Sequence, residues 1–243
     1  MNPDKQDIQL ILQQVSDVLL MKGGFLSNPG LYSGEMGLVL FFARYARYTQ
    51  NNVYLEHSYG LMDKLQSRIH RDSPINYKEG LSGIGSTIEY LVQNGFFEAD
   101  TDEVLQDFDK RIFFTYNMPY LPINNIIDIG YYATWRMSGN SSKKDFIRQT
   151  VLPQIEKVVH DYFGTTQWFQ LYRKTKPKIL TEKTYGHCLE LIAQNNFWGK
   201  DMGLQNGLAG WGMSLLTELN DDDSWTSLLP DDFYNSKDES ISV

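Results

Sequence analysis

The chain has 243 residues, of which 42% are hydrophobic and 14% aromatic, so it is long enough to bury a sizeable core in one domain. Its 22 Lys and Arg residues stand against 30 Asp and Glu residues. The resulting net charge of −8 argues against a nucleic acid or an anionic membrane as the main partner. A small molecule or a neutral or basic peptide suits this charge better.

Cysteine usage and the N-terminal residues bear on the cellular compartment. Cys188 is the single cysteine, so the chain cannot form a disulfide within itself. Residues 1–7 lack the basic and apolar regions of a secretion signal, and no stretch approaches the ~18 apolar residues of a membrane span. We therefore expect a cytoplasmic protein that partners neither a membrane nor a nucleic acid.

Amphipathic and fully apolar helical segments alternate from the N-terminus onwards. The first predicted helix carries its apolar side chains on one face, at Ile8, Ile11, Leu12, Val15 and Val18. The second begins at Ser33 and is apolar on every face from 36 to 43, as expected of a helix in an inner layer. An outer stripe over 54–69 and a second inner helix over 80–91 follow.

The next pair of segments gives weaker signals. Asp100 and Glu103 form a capping box, whose charges we interpret as structural, ahead of an outer stripe over 104–112. A short apolar segment, 126–131, has kept only one glycine and predicts a third inner helix.

Two further outer stripes complete the pattern. In the stripe over 147–162, Pro153 either kinks the helix or begins its second half. The stripe over 180–192 contains Cys188 and leads into the last inner helix. Since no extended period-2 pattern indicates a strand, the predicted fold class is all-α.

A glycine-rich phrase occurs three times, each time at the start of an apolar helix. The copies are 30–37, 80–85 and 203–212. They align when Gly34, Gly80 and Gly207 are superimposed, and the 46 residues from Gly34 to Gly80 fit one helical hairpin per repeat. Each interior glycine weakens a helix by roughly 0.5–1 kcal/mol relative to alanine, so we expect tight turns or close helix contacts that a Cβ would prevent.

This repeat predicts the architecture. The distance from 127 to 207 leaves room for two hairpins, so we expect a degraded inner helix near 167–171 and about five hairpins in all. Inner apolar helices that alternate with outer amphipathic ones are typical of a double-layered α/α barrel, or toroid. We assign the toroid to residues 1–220 and expect 221–243 to be a polar, acidic tail that does not extend the core.

With these phrases the chain resembles the lanthionine synthetase C-like family, most closely over 30–109 and 203–219. The resemblance implies an α/α toroid, of seven hairpins in that family, around a zinc ion. The ion activates a cysteine thiol of a peptide for addition to a dehydrated Ser or Thr, which closes a thioether ring. A metal suits this reaction because it stabilises the thiolate at neutral pH.

The sequence departs from the family at the zinc ligands. The family holds zinc with a Cys ahead of a glycine and with a Cys-His-Gly triplet, whereas here Cys188 follows Gly186 and His187 in the reverse order. Cys188 also falls on an apolar stripe, where a free cysteine usually packs as a small apolar group. A catalytic zinc normally takes three protein ligands. His187 and Cys188 remain as candidate metal ligands, but we expect neither zinc nor another cofactor.

In such a barrel the inner helices begin at one face, where their dipoles and unpaired N–H groups line a shared cavity. Polar residues at these starts are the candidate ligand-binding residues, with Trp211 as part of an aromatic floor. They are Ser33, Glu35, Glu79, Ser82, Asp128, Gln205 and Asn206. Glu35 and Asp128 are also candidate catalytic residues, since a glycoside-cleaving toroid needs a pair of carboxylates.

Three functions are compatible with the sequence. The one we favour is a lanthionine synthetase C-like pseudoenzyme of lanthipeptide-type biosynthesis, which lacks zinc and binds a peptide substrate or a biosynthetic partner protein. The second is an active thioether-forming peptide cyclase whose unconventional zinc site includes His187 and Cys188. The third is a carbohydrate-active enzyme that uses Glu35 and Asp128. Whether the chain catalyses a reaction stays open at this point.

Overall fold

The computed structural model of the chain describes residues 4–115, 121–163 and 200–230. Helices and connecting loops make up these ranges, with no strand among them, and the all-α prediction is confirmed for this part of the chain. Within the same ranges, no helix is both long enough and apolar enough to cross a membrane.

The α-helices of the described ranges follow one another in this order: α1 (Lys5–Lys22), α2 (Glu35–Thr49), α3 (Asn52–Arg68), α4 (Leu81–Gln93), α5 (Thr101–Val104), α6 (Gln106–Thr115), α7 (Ile123–Ser138), α8 (Lys144–Phe146), α9 (Leu152–Phe163) and α10 (Leu208–Asn220). They belong to two compact units. The first unit combines residues 1–69 with 176–243 and so contains α1 to α3 and α10. The second unit spans 70–175 and contains α4 to α9.

In the first unit, α2 occupies the centre. Every residue of α2 from Glu35 to Ala46 is buried, and the helix packs against α3 and α10. α10 packs in turn against α1, and α10 is buried at nearly every position from Leu208 to Leu216. α1 and α3 bury only one face each, so the predicted contrast between fully apolar and amphipathic helices is confirmed for these four elements.

The second unit has α4 at its centre. All residues of α4 from Leu81 to Leu91 are buried, and the helix packs against α7 and α6. α7, predicted from the weak segment 126–131, is buried around Ile129 and Tyr132 and also packs against α9. A helix with a single remaining glycine is therefore confirmed at this position, but it buries only part of its residues, and its place in an inner layer stays a prediction.

Two helix boundaries refine the predictions. Asp100 caps α5 by accepting a hydrogen bond from the Asp102 N–H at 2.9 Å, but the helix breaks at Leu105, so the stripe over 104–112 is divided between α5 and α6. A π-helical segment, Ile147–Val151, precedes α9, and Pro153 is the second residue of α9. The extra residue in the π turn accommodates the missing proline N–H, so Pro153 does begin the second half of this helix.

The segment after α10 corrects one expectation. Ser224–Leu228 form a 3₁₀ turn in which Trp225 is 1% exposed and Leu228 is fully buried. The Trp225 indole N–H donates to the Thr217 hydroxyl at 2.9 Å, which fixes the turn on α10. The expectation that nothing after Asn220 extends the core is therefore wrong for this turn, because the apolar side chains of Trp225 and Leu228 are buried despite their polar neighbours.

Several predictions concern residues outside the described ranges. These are the degraded inner helix near 167–171, the outer stripe over 180–192 and the tail from 231 to 243. The toroid of about five hairpins and its boundary at residue 220 depend on them and stay predictions.

Candidate functional site

The three glycine-rich phrases fold into the same local structure. In each, the N–H of the first helical residue donates to a backbone carbonyl seven residues earlier, so the preceding loop closes over the helix start. The Glu35 N–H donates to the Asn28 carbonyl at 2.8 Å, the Leu81 N–H to the Pro74 carbonyl at 2.9 Å, and the Leu208 N–H to the Asp201 carbonyl at 2.8 Å. We call each closed loop with its helix start a loop module, so the modules begin at Asn28, Pro74 and Asp201.

Glycine is required at the N-cap of each module by lack of space. A Cβ placed on Gly34, Gly80 or Gly207 would lie 2.3–2.4 Å from a backbone carbonyl oxygen of its own loop. Glycines one turn further allow close helix contacts, since a Cβ on Gly85 would lie 2.5 Å from the Tyr132 ring and one on Gly212 2.3 Å from the Phe41 ring. The expected causes, tight turns and close helix packing, are thus both confirmed.

The loop modules correct the expectation of unpaired N–H groups at the helix starts. The Glu35 and Met36 N–H groups donate to carbonyls of residues 28–30, and the Leu208 and Ala209 N–H groups donate to carbonyls of Asp201 and the residue after it. A hydrogen bond already made inside the loop is not offered to a ligand. The starts of α2 and α10 are therefore closed by their own backbone.

The first unit brings the loop modules of α2 and α10 together. The Gln205 N–H donates to the Tyr32 carbonyl at 2.9 Å, and Gly203 lies against the Ser33 backbone, where a Cβ would approach to 2.7 Å. The predicted site residues of these modules therefore share one region. Ser33, Gln205 and Trp211 are half-buried, and Asn206 is exposed with a φ of +59°.

Glu35 is fully buried at the start of α2 and faces two cations from the end of α3. Its Oε1 lies 2.8 Å from Lys64 Nζ and 3.1 Å from Arg68 Nη1. Lys64 also donates to the Gly24 carbonyl and Arg68 to the Leu26 carbonyl, so the pair ties the loop after α1 to both helices. These ion pairs offset the charge of Glu35 at Oε1, while Oε2 is buried with no hydrogen-bond partner in the described ranges.

The sequence reasoning missed both cations. Lys64 and Arg68 are four residues apart and lie in the last turns of an outer helix, so they face the same direction. A carboxylate at the start of a fully apolar helix needs such partners, because a buried charge is costly without a counter-ion. That need is the signal from which the pair could have been inferred.

The predicted residues of the second unit occupy separate environments. Glu79 is half-buried, and its N–H donates to the Asn76 side-chain oxygen at 2.7 Å. Ser82 is fully buried, and its hydroxyl makes no hydrogen bond within the described ranges. Asp128 is half-buried on α7, which meets the loop ahead of α4 through an edge-to-face contact of Tyr77 with the neighbouring Tyr131 at 5.4 Å.

A buried ionic cluster, also missed from the sequence, holds the second unit together. The Arg136 guanidinium on α7 is fully buried and contacts Glu89 of α4, Asp102 of α5 at 2.6 Å and Asp109 of α6 at 2.9 Å. The Tyr132 hydroxyl donates to Asp109 at 2.6 Å. Four helices therefore meet at one guanidinium, which we call the Arg136 cluster.

Hydrogen bonds rather than burial decide the ionisation of this cluster. Burial by itself favours the neutral form of Asp102, but bonds donated by Ser142, Ser141 and Arg136 hold its pKa well below its usual range. Burial also opposes the charge on Arg136, yet its bonds to Asp109 and Glu89 raise the Arg136 pKa. Groups that are held charged and fully bonded serve structure better than proton transfer.

The two candidate catalytic carboxylates lie in different units, Glu35 in the first and Asp128 in the second, so their pairing stays a prediction. Among residues 4–115, 121–163 and 200–230, no group of three or more His, Cys, Asp or Glu side chains is placed to hold a metal ion. The candidate ligands His187 and Cys188 lie outside these ranges.

An open cleft of about 550 Å³ lies in the second unit. Residues 71–76 form one wall, while Arg111 and Phe114 of α6 and Asn125 of α7 form the other. The Arg111 guanidinium donates to the carbonyls of Arg71 and Ser73, both at 2.9 Å, and so fixes the first wall. The sequence reasoning did not single out this site, because its residues come from three distant segments with no shared motif.

Comparison with known proteins gives no further guide to identity. No protein-family model, curated protein or solved structure matches this chain. The resemblance to the lanthionine synthetase C-like family therefore depends on the glycine-rich phrases alone.

Proposed function

We propose that the chain is a lanthionine synthetase C-like protein of modified-peptide biosynthesis that binds a peptide without closing a thioether ring. The observation that carries this proposal is the loop module, which recurs with the same hydrogen bond at Asn28, Pro74 and Asp201. A repeated module of one geometry supports descent from a repeat architecture such as the family's toroid. A toroid of about five hairpins and a cytoplasmic location belong to the same proposal.

The environment of Glu35 supports a structural role over catalysis at this helix start. A carboxylate that faces Lys64 and Arg68 and is fully buried cannot reach a substrate in this arrangement. General acid–base catalysis needs a group within hydrogen-bond reach of the substrate. We therefore assign Glu35 to the closure of the α2 start and give no preference to a carbohydrate-active enzyme.

The test uses the full chain and a short synthetic peptide that contains one dehydroalanine and one cysteine. Thioether formation consumes the thiol, so alkylation with iodoacetamide followed by mass spectrometry measures the reaction. We expect fluorescence anisotropy to detect binding of the peptide, and we expect thiol loss to proceed at the rate seen without protein. A peptide with alanine in place of dehydroalanine is the matched control.

Two results would contradict the proposal. Stoichiometric zinc that is lost in Cys188→Ala, together with accelerated thiol loss, would favour an active cyclase with an unconventional zinc site. Absence of binding to either peptide, with the chain folded by circular dichroism, would remove the peptide-binding function itself.

A further inference from the structure

We propose that the cleft between residues 71–76 and α6 binds an acidic segment of a peptide. This inference rests on the proposed peptide-binding function and names the chemistry of the bound peptide and the place where it binds. Its evidence is independent of the glycine-rich phrases, since it depends on the charge, the fixed geometry and the size of the cleft.

The charge of the cleft is opposite to that of the whole chain. Arg71 and Arg111 line it, and Asp72 is the one carboxylate among the lining residues that the structure describes, so this described lining is net positive in a chain of net charge −8. Arg71 is exposed, and its guanidinium has no ion-pair or hydrogen-bond partner in the described part of the chain. An unpartnered guanidinium at the edge of a cleft attracts carboxylates.

The wall that carries Arg71 is held in place. Arg111 donates to the carbonyls of Arg71 and Ser73, and the Ser73 hydroxyl accepts a bond from the His70 N–H at 2.9 Å. The backbone on both sides of Asp72 is thus anchored before any ligand arrives. Such preorganisation favours binding because less conformational entropy is lost on association.

The size and the remaining lining favour a peptide over a small anion. A volume of about 550 Å³ falls within the roughly 300–1,000 Å³ typical of sites for organic ligands, and a single carboxylate would fill little of it. Phe114 is 69% exposed at the wall and offers an apolar contact. The side-chain amides of Asn76 and Asn125 can bond the backbone of an extended segment.

Net charge alone would have predicted a neutral or basic peptide. Charges on a surface act over about a Debye length, roughly 8 Å at physiological ionic strength, so the local lining decides what the cleft attracts. The charge of the whole chain still affects the approach of a ligand from solution. An acidic segment within a peptide of low net charge satisfies both conditions.

The test is fluorescence anisotropy on the full chain with two labelled peptides, one of alternating Glu and Leu and one with Gln in place of every Glu. We expect the Glu peptide to bind about tenfold more tightly than the Gln peptide, as for a charge-assisted bond in a partly enclosed site. Raising the salt to about 1 M shortens the Debye length to about 3 Å and should remove the preference.

Arg71→Ala should remove most of the preference for the Glu peptide, and Phe114→Ser should weaken both peptides about equally. The matched controls are Arg148→Ala, an exposed arginine paired with Asp145 in the same unit, and Phe25→Ser, at a site 84% exposed in the other unit. Both should bind as the parent does. Circular dichroism of each variant verifies that the fold is kept.

The outcomes separate the two proposals. If both peptides bind equally, or if Arg71→Ala behaves like Arg148→Ala, the acidic-segment inference is wrong while peptide binding stands. If free glutarate displaces the Glu peptide at concentrations similar to that of the peptide, the cleft binds any carboxylate, and the acidic-segment inference is wrong. If neither peptide nor the dehydroalanine peptide binds, the proposed function fails as well.

Discussion

Lack of space for a Cβ, rather than an unusual backbone conformation, explains the glycines at positions 34, 80 and 207. The φ angles of these residues lie between −126° and −116°, a range that any amino acid adopts. The carbonyl oxygens of the preceding loop fill the volume that a Cβ would need. Selection for glycine here thus follows from the loop closing over its own helix.

Gly34→Ala should destabilise the first unit by about 2 kcal/mol or more, since the new Cβ would lie 2.4 Å from the Asn28 carbonyl oxygen and the loop must shift. Gly60→Ala is the matched control, because Gly60 lies inside α3 with open space around it and alanine there should stabilise the helix by about 1 kcal/mol. Urea unfolding followed by circular dichroism measures both. Equal effects of the two substitutions would contradict the steric argument.

His57 introduces a pH dependence. Burial lowers its pKa below the ordinary value of 6.5, and its ring lies edge-on to Phe42 at 4.6 Å. The folded state therefore binds a proton on His57 less readily than the unfolded state does. The free energy of unfolding is highest above about pH 6.5 and decreases as the pH falls from there towards the lowered pKa. Unfolding free energies measured between about pH 7 and 5 should show this loss.

His57→Phe should flatten this dependence, because phenylalanine keeps the aromatic contact and takes up no proton. His70→Gln, at an exposed histidine, should leave it unchanged. Asp102 and Asp222, whose pKa values are lowered in the folded state, contribute with the same sign only at more acidic pH. A slope that persists in His57→Phe would assign the effect to another group.

At the scale of elements, each unit contains a buried charged side chain that joins separate elements of the chain. In the second unit the Arg136 cluster joins α4, α5, α6 and α7. In the first unit, Glu35 joins α2 to α3 and to the loop after α1. Ion pairs thus connect the elements of each unit in addition to the apolar contacts between them.

Arg136→Met should destabilise the chain by roughly 3–5 kcal/mol, because it leaves Glu89 and Asp109 buried without their counter-ion. Arg148→Met, which breaks an exposed pair with Asp145 in the same unit, should change stability by less than about 0.5 kcal/mol. Denaturant unfolding of both variants is the measurement. A loss in Arg136→Met as small as in the control would show that the cluster contributes little.

Glu35→Gln should loosen the loop after α1, since Lys64 and Arg68 would lose the buried charge that orients them towards the Gly24 and Leu26 carbonyls. Hydrogen exchange over residues 23–27 should become faster, with a loss of about 1–3 kcal/mol in stability. Glu56→Gln, at an exposed position of α3, is the control. Unchanged exchange in this loop would contradict the role assigned to Glu35.

The elements themselves were predictable where one signal dominated. α2 and α4 stand out because a helix that is apolar on every face has to be buried, and the glycine-rich phrases mark where these helices begin. The break at Leu105 and the buried Trp225 were missed, since a periodic pattern averages over the single residues that decide such details. The cations that face Glu35 were missed because an ion pair between two helices leaves no periodic pattern in the sequence.

At the scale of the whole molecule, the first unit brings together helices from both ends of the described chain. Hairpin order would place each repeat beside the next in sequence. A closed ring of hairpins also places the last repeat beside the first, and α2 does pack against α10, from the other end of the described chain, where the Gln205 N–H donates to the Tyr32 carbonyl. The ring itself stays a prediction. Repeats that match in sequence predict which modules exist, but long-range partners become visible only in three dimensions.

The discontinuous make-up of the first unit has a consequence for biosynthesis. Residues 70–175 leave the ribosome as one stretch and can fold as they emerge, whereas α1 to α3 must wait for α10 before Phe41 meets Gly212. During that interval the apolar side of α2 is uncovered. The nascent protein is therefore most prone to aggregate after residues 70–175 have folded and before α10 has been translated.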